Sequence, residues 1–169
     1  MSVLPIKVFG EPVLRERTRR VERFDEDLAR LATDMLETMY EAPGVGLAAT
    51  QVGMPIRFFV YDDGESGPHP LANMELFDLE GEGEFEEGCL SVPGLWFPTK
   101  RALTVRARGM DLEGRPVEIQ AEGLLARILQ HETDHVDGLL YLDRLTDEHR
   151  KEAMKQIRER ELSGGLRPG

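Results

Sequence analysis

The feature that most constrains this chain is the run Leu124 to Asp137, closed by Gly138. It reads as one helix whose apolar stripe, Leu124 and Ile128, continues into His131 and His135. A glycine just past the last periodic residue marks the end of a helix. Any fold that accepts this helix must turn two imidazoles inward. Residues four apart share one helix face, with Cβ atoms about 5–6 Å apart, so the two rings can converge on a single metal ion. Glu132 points about a third of a turn away. It is poorly placed as a third ligand and well placed as a general base beside a metal-activated water. The pentad His131-Glu132-Thr133-Asp134-His135 has the pattern His-Glu-x-x-His that carries this chemistry. Plain core packing is the competing reading, and burying two neighbouring imidazoles without partners is costly.

A catalytic site of the zinc type takes three protein ligands and keeps one position open. In one peptidase pattern the third histidine follows the second by six residues. Gly138 fits that pattern, but Tyr141 occupies the ligand position. A glutamate on a later helix is another solution, for which Glu148 and Glu152 can be proposed although nothing marks them out. The remaining candidate is Cys89, in Glu87-Gly88-Cys89-Leu90-Ser91. A thiolate with two imidazoles is a sound set for a divalent transition metal.

The rest of the chain supplies a setting. Asp25 to Tyr40 has helical spacing, with Leu28, Leu31, Ala32, Met35, Leu36 and Met39 on one face, and Ala42-Pro43-Gly44 stops it. Arg57 to Tyr61, Leu71 to Leu79, Ala102 to Asp111 and Pro116 to Ala121 read as strands. Asp147 to Glu161 is a third helix, and 163–169 reads as a disordered tail. Strands segregated from helices predict one α+β domain over residues 1–169, its antiparallel or mixed strands packed around the histidine helix, with a further helix at the C-terminus. The acidic run Glu80 to Glu87 reads as a solvated hairpin or loop.

Charge and cysteine usage remove several function classes. The net charge of −11 leaves no broad basic footprint for DNA. One cysteine cannot form an internal disulfide, which fits a reducing compartment. No apolar run approaches the ~20 residues that span a bilayer. Met1 to Arg20 reads as neither a secretory signal nor a good transit peptide. The cytoplasm is the expected location, with an organelle as the other option.

Three separated segments resemble the signature motifs of the peptide deformylase family. They are Gly44-Val45-Gly46-Leu47-Ala48-Ala49-Thr50-Gln51, then Glu87-Gly88-Cys89-Leu90-Ser91, then Gln130-His131-Glu132-Thr133-Asp134-His135-Val136-Asp137-Gly138. Gly10-Glu11-Pro12-Val13-Leu14-Arg15 is similar to the family's opening segment, so the likeness covers roughly residues 3–160. The resemblance implies removal of the N-formyl group from the leading methionine of nascent chains, with release of formate. It implies that Cys89, His131 and His135 hold one divalent ion. Fe2+ is the ion implied in the cell, and Zn2+, Ni2+ or Co2+ could occupy the purified protein. Glu132 would take a proton from the attacking water and pass it to the leaving amine. Gln51 and the Leu90 N–H would hold the oxyanion. Gly46 and Val45 would line the substrate groove, and Val45, Phe85, Leu124, Ile128 and His131 would form the methionine pocket. Leu124 and Ile128 equally suit ordinary packing. Arg101 would pair with Glu87 and brace the Cys89 segment.

Three positions depart from the family pattern. Val136 replaces a leucine, Met74 follows Asn73 where proline is common, and Leu95-Trp96-Phe97-Pro98 replaces a segment that often brings an arginine towards the substrate. The expected partners are N-formylmethionyl peptides. The ribosome is a further expected partner, through Arg150, Lys151, Lys155, Arg158 and Arg160 of the last helix. A solvated helix with compensating acids is the alternative for those five cations.

Overall fold

The structure is a computed structural model, and residues 2–165 are described. Helix α1 (Glu26–Glu41) starts where the Asp25 side chain accepts the Leu28 N–H at 3.1 Å. The chain then enters β1 (Gly46–Ala48), a 3-10 turn (Ala49–Val52), β2 (Phe58–Asp62) and β3 (Pro68–Glu80). A hairpin of β4 (Gly83–Cys89) and β5 (Val92–Arg101) follows, then β6 (Thr104–Met110) and β7 (Pro116–Glu122). Helix α2 (Gly123–Val136), a 3-10 turn (Tyr141–Arg144) and α3 (Asp147–Leu162) complete the chain. The fold class is α+β, as expected. The five-stranded sheet has the order β1-β2-β3-β6-β7, the second sheet is the β4–β5 pair, and every strand pairing is antiparallel.

The sheet is covered on both faces where β2 crosses it. Phe58 and Val60 pack with Leu28, Ala32, Met35 and Met39 of α1. Phe59 and Tyr61, on the other face, pack with Ala126, Leu129 and Val136 of α2. Successive strand residues point to opposite sides, so a strand buried on both faces reads as a continuous apolar run. That is why Arg57 to Tyr61 reads as a strand without alternation. A third cluster joins β5 to the C-terminal segment through Val92, Leu95, Phe97, Tyr141, Ala153 and Ile157. Helix α2 therefore runs between the large sheet, the hairpin and the C-terminal turn.

Glu80 to Glu87, read as a solvated hairpin or loop, enters the β4–β5 hairpin, but only one of its faces is solvated. Glu80 ends β3, and Glu84 and Glu86 point outward from β4 while Phe85 and Glu87 point inward. Leu95 to Pro98, unassigned from sequence, lies in β5. The two prolines of β5, Pro93 and Pro98, are tolerated because both strands of a two-stranded sheet are edges. Of the tail expected over 163–169, residues 166–169 lie outside the described residues. Residues 163–165 close α3, with the Gly165 N–H returning to the Arg160 carbonyl at 2.9 Å.

Asn73 explains how β3 turns without a proline. Its φ is +56°, and the pairing of β3 with β6 shifts register between Ala72 and Glu75. The Asn73 side chain accepts the Val21 N–H at 2.7 Å and donates to the Val21 carbonyl at 2.9 Å, both buried. Asparagine suits both the left-handed backbone and the double bond. Asn73→Ala should lower the unfolding free energy by about 2–4 kcal/mol in chemical denaturation, because it orphans two buried backbone groups and leaves an alanine at positive φ.

Candidate active site

The sharp turn Leu90–Ser91 between β4 and β5 carries Cys89 over the histidine face of α2. Cys89 Sγ lies 3.3 Å from His135 Nε2, which lies 3.2 Å from His131 Nε2. The three donor atoms are all within 4.8 Å of one another. A tetrahedral ion with bonds of ~2.0–2.3 Å has ligand edges of ~3.3–3.7 Å, so this set fits a divalent transition metal. Tyr141, Glu148 and Glu152 do not join it. Tyr141 is buried and donates its hydroxyl to the Leu95 carbonyl at 3.2 Å, while Glu148 and Glu152 are exposed on α3.

The ring of His131 is oriented by Glu87, whose Oε1 lies 2.7 Å from His131 Nδ1. Burial alone would push the Glu87 carboxyl up. Hydrogen bonds from Arg101 and His131 outweigh burial and hold it down at about 2. A carboxylate can only accept, so Nδ1 carries the proton and Nε2 presents its lone pair towards Cys89 and His135. Arg101 is 4% exposed. It grips both Glu87 oxygens at 2.8 Å and reaches Asp134 of α2 at 2.7 Å. Arg144 holds the other side of Asp134 at 2.8 Å. The expected Arg101–Glu87 pair is thus present as part of a longer chain, His131–Glu87–Arg101–Asp134–Arg144.

Sequence reasoning missed the Glu87–His131 bond, Asp134, Arg144 and Ser91. The alternation Phe85, Glu87, Cys89 on one face of β4 was the available signal. A run of acids hid it by favouring solvation for all of them.

Glu132 is 3% exposed, and its Oε1 has no hydrogen-bond partner. Burial pushes its carboxyl up to about 7. Burial pushes His135 well down, which keeps that imidazole neutral as a ligand must be. Gln51, in the 3-10 turn after β1, is fixed at both ends of its amide. Its Oε1 accepts the Ala48 N–H at 2.9 Å, and its Nε2 donates to Ser91 Oγ at 3.0 Å and lies 3.6 Å from Cys89 Sγ.

A cavity of about 610 Å³ adjoins these groups. Val45, Gly46, Gln51, Leu90, Leu124, Ile128, His131 and Glu132 all line it, and so do Leu95 and Trp96. Phe85 stands behind the lining, its ring 4.4 Å beneath the guanidinium of Arg127, which does line the cavity. Leu124 is 42% exposed. It sits at the rim rather than in the interior, because the first turn of α2 reaches the cavity mouth. Arg127 at the wall was not anticipated from sequence.

Three convergent donors, a buried carboxylate beside them and an apolar cavity on an α+β scaffold define the class of metal-dependent hydrolases with a His-Glu-x-x-His helix. Comparison with known proteins narrows the class. Residues 3–151 match the polypeptide deformylase family model. The chain is 50% identical to a peptide deformylase of Acidothermus cellulolyticus over 97% of its own length and 91% of the relative's. Among solved structures it is similar to the peptide deformylase of Thermus thermophilus, with a TM-score of 0.89, 44% identity and coverage of 93% and 94% of the two chains. It is also similar to the Legionella pneumophila enzyme, with a TM-score of 0.88, 40% identity and coverage of 98% and 100%. The chain belongs to the peptide deformylase family, a family of metal-dependent hydrolases.

Gly46 has a steric task in this site. A Cβ there would overlap the Glu132 carboxylate. Gly46→Ala should therefore fold with near-parental thermal stability and, if Glu132 takes part in the reaction, lose about 100-fold or more of deformylase turnover, the cost of displacing such a group by about 1 Å.

Proposed function

We propose that this protein removes the formyl group from N-formylmethionyl peptides and releases formate. The observation that carries the reading is the Glu132 carboxylate, buried and unpaired at Oε1, on the cavity wall beside the three convergent donors. Cys89, His131 and His135 would hold one divalent ion, Fe2+ in the cell, with Zn2+, Ni2+ or Co2+ as substitutes in purified protein. Such an ion, when bound, supplies Lewis acidity that polarises the formyl oxygen and acidifies water.

The chain's own residues supply the remaining steps. Glu132 accepts a proton from the attacking water as its oxygen adds to the formyl carbon. The carbonyl oxygen gains the charge and takes hydrogen bonds from the Gln51 amide and the Leu90 N–H. A neutral amide suits that role because it does not pair with Glu132. Glu132 then gives its proton to the nitrogen as the C–N bond breaks, leaving formate and a free amine. Val45, Gly46, Leu124, Ile128 and His131 seat the methionine, with Phe85 backing Arg127 at the wall.

The outer face of α3, where Lys151, Lys155 and Arg158 are exposed, is the surface we assign to ribosome contact. Arg150 and Arg160 are excluded from it, since both donate to backbone carbonyls of this chain. The substrate's origin places the reaction where translation starts with formylmethionine, in the cytoplasm or an organelle. No helix among the described residues is long and apolar enough to cross a membrane. Pelleting with ribosomes at low salt should be lost when Lys151, Lys155 and Arg158 are all changed to glutamate. Equal pelleting of that variant, or none by the parent, would overturn the assignment.

The deciding experiment measures formate release from a formyl-Met tripeptide by protein loaded anaerobically with Fe2+ or Ni2+. The parent should turn over, Glu132→Gln should retain the metal and lose about 10²–10⁴-fold in kcat, and Cys89→Ala should be purified without metal. A folded, metal-loaded parent that leaves the formyl peptide intact would end this reading. Cleavage of an unformylated peptide instead would identify an internal peptidase.

A further inference from the structure

The first residues of β5 break the hairpin ladder. Glu87 pairs with Phe97, and Cys89 pairs with Val92. One residue of β4, Gly88, therefore stands opposite the four residues Pro93–Trp96. A bulge of that size leaves backbone groups without cross-strand partners, and such groups must be satisfied elsewhere. These four residues are also a wall of the cavity.

Their carbonyls are taken from behind by the C-terminal segment. Arg160 Nη1 donates to the Pro93 carbonyl at 2.6 Å, and Nη2 donates to the Gly94 carbonyl at 3.1 Å. The Tyr141 hydroxyl donates to the Leu95 carbonyl. Three consecutive carbonyls of the wall are thus held by side chains that follow α2 in the chain. Ala153 and Ile157 are buried on α3, and Arg160 continues the same helical face, so the packing that docks α3 also aims the guanidinium. Gly94 has φ +78°, and a Cβ there would overlap Arg160. The wall therefore approaches the guanidinium as closely as a glycine permits. At its far end Trp96, 64% exposed, lies over Gly88, where a Cβ would come within 2.7 Å of the indole.

We infer that Arg160 is a positioning residue for the substrate: by clamping the Pro93 and Gly94 carbonyls it holds the Pro93–Trp96 wall in the shape that binds the peptide. It rests on the deformylase reading for the identity of that peptide. Arg160 touches neither the donor set nor Glu132, so its effect falls on peptide binding and not on bond breaking.

The test uses the full, metal-loaded chain and a formyl-Met tripeptide, with Arg160→Ala and Arg160→Lys beside the parent. Trp96 is the chain's one tryptophan, so its fluorescence anisotropy reports the wall without any turnover. Arg160→Ala should raise KM about three- to tenfold, the range expected for losing hydrogen bonds from a charged donor near the surface. Its kcat should stay within about twofold, with metal content unchanged and Trp96 anisotropy lowered. Arg160→Lys, which keeps a donor, should recover most of both signals. Unchanged KM with unchanged anisotropy would overturn the inference. So would a fall in kcat at constant KM, or loss of metal, because either would place the effect at the metal centre. If the parent fails to deformylate, the functional reading fails by itself. The anisotropy of the two variants still decides whether Arg160 holds the wall.

Discussion

Everything at the centre of this molecule depends on burying a polar helix. From Gln130 to His135, α2 carries Gln130, His131, Glu132, Thr133, Asp134 and His135, and all but His131 are fully enclosed. Each buried polar group without a partner costs free energy. The surrounding chain answers three of these residues. Gln130 pairs with both backbone groups of Ala102, at 2.8 and 3.0 Å, and so ties α2 to the β5–β6 corner. Asp134 is gripped by Arg101 and Arg144. His131 is met by Glu87. Glu132 Oε1, Thr133 Oγ1 and His135 Nδ1 find no partner among the described residues, and of these three residues Glu132 alone lines the cavity.

The buried charges follow the same logic. An arginine as enclosed as Arg101 is tolerated only with full compensation. Here two carboxylates share it, one from the hairpin and one from α2. The pair does more than cancel charge. It fixes the hairpin at the height that brings Cys89 to the two imidazoles, and it leaves Glu87 ionised so that His131 must present Nε2. Removing one member would strand the others in the interior, so the ladder acts as a unit.

The sequence was most legible where period and chemistry coincided. The α2 stripe, the α1 stripe and the β2 apolar run each carry a local periodicity that survives burial. The Cys89–His131–His135 set could be proposed because few residue types suit a divalent metal. The second strand of the hairpin and the inward face of its first were hidden for a physical reason. Its outward residues are acids, its turn holds no Asn-Gly signal, and β5 carries Pro93, Gly94 and Pro98, all of which argue against a strand. Glu87 was concealed by its neighbours, since Glu84, Glu86 and Glu87 are chemically alike and differ only in which face of β4 they occupy. The role of α3 was illegible as well. Arg150 and Arg160 read as surface charge, and only the fold shows that both are bound to backbone carbonyls.

The wall at Pro93 to Trp96 is understandable in the same terms. Cys89, His131, His135 and Glu132 stand on α2 and on the end of β4, held by the Glu87–Arg101–Asp134 ladder and by Gln130. The wall is a bulge outside the β4–β5 pairing, supported from the opposite side by Tyr141 and Arg160. Its residues can change without shifting Cys89, because Val92 still pairs with Cys89 and Phe97 with Glu87 on either side of the bulge. A tryptophan at position 96 therefore shapes the cavity wall and leaves the pairing of Cys89 as it is.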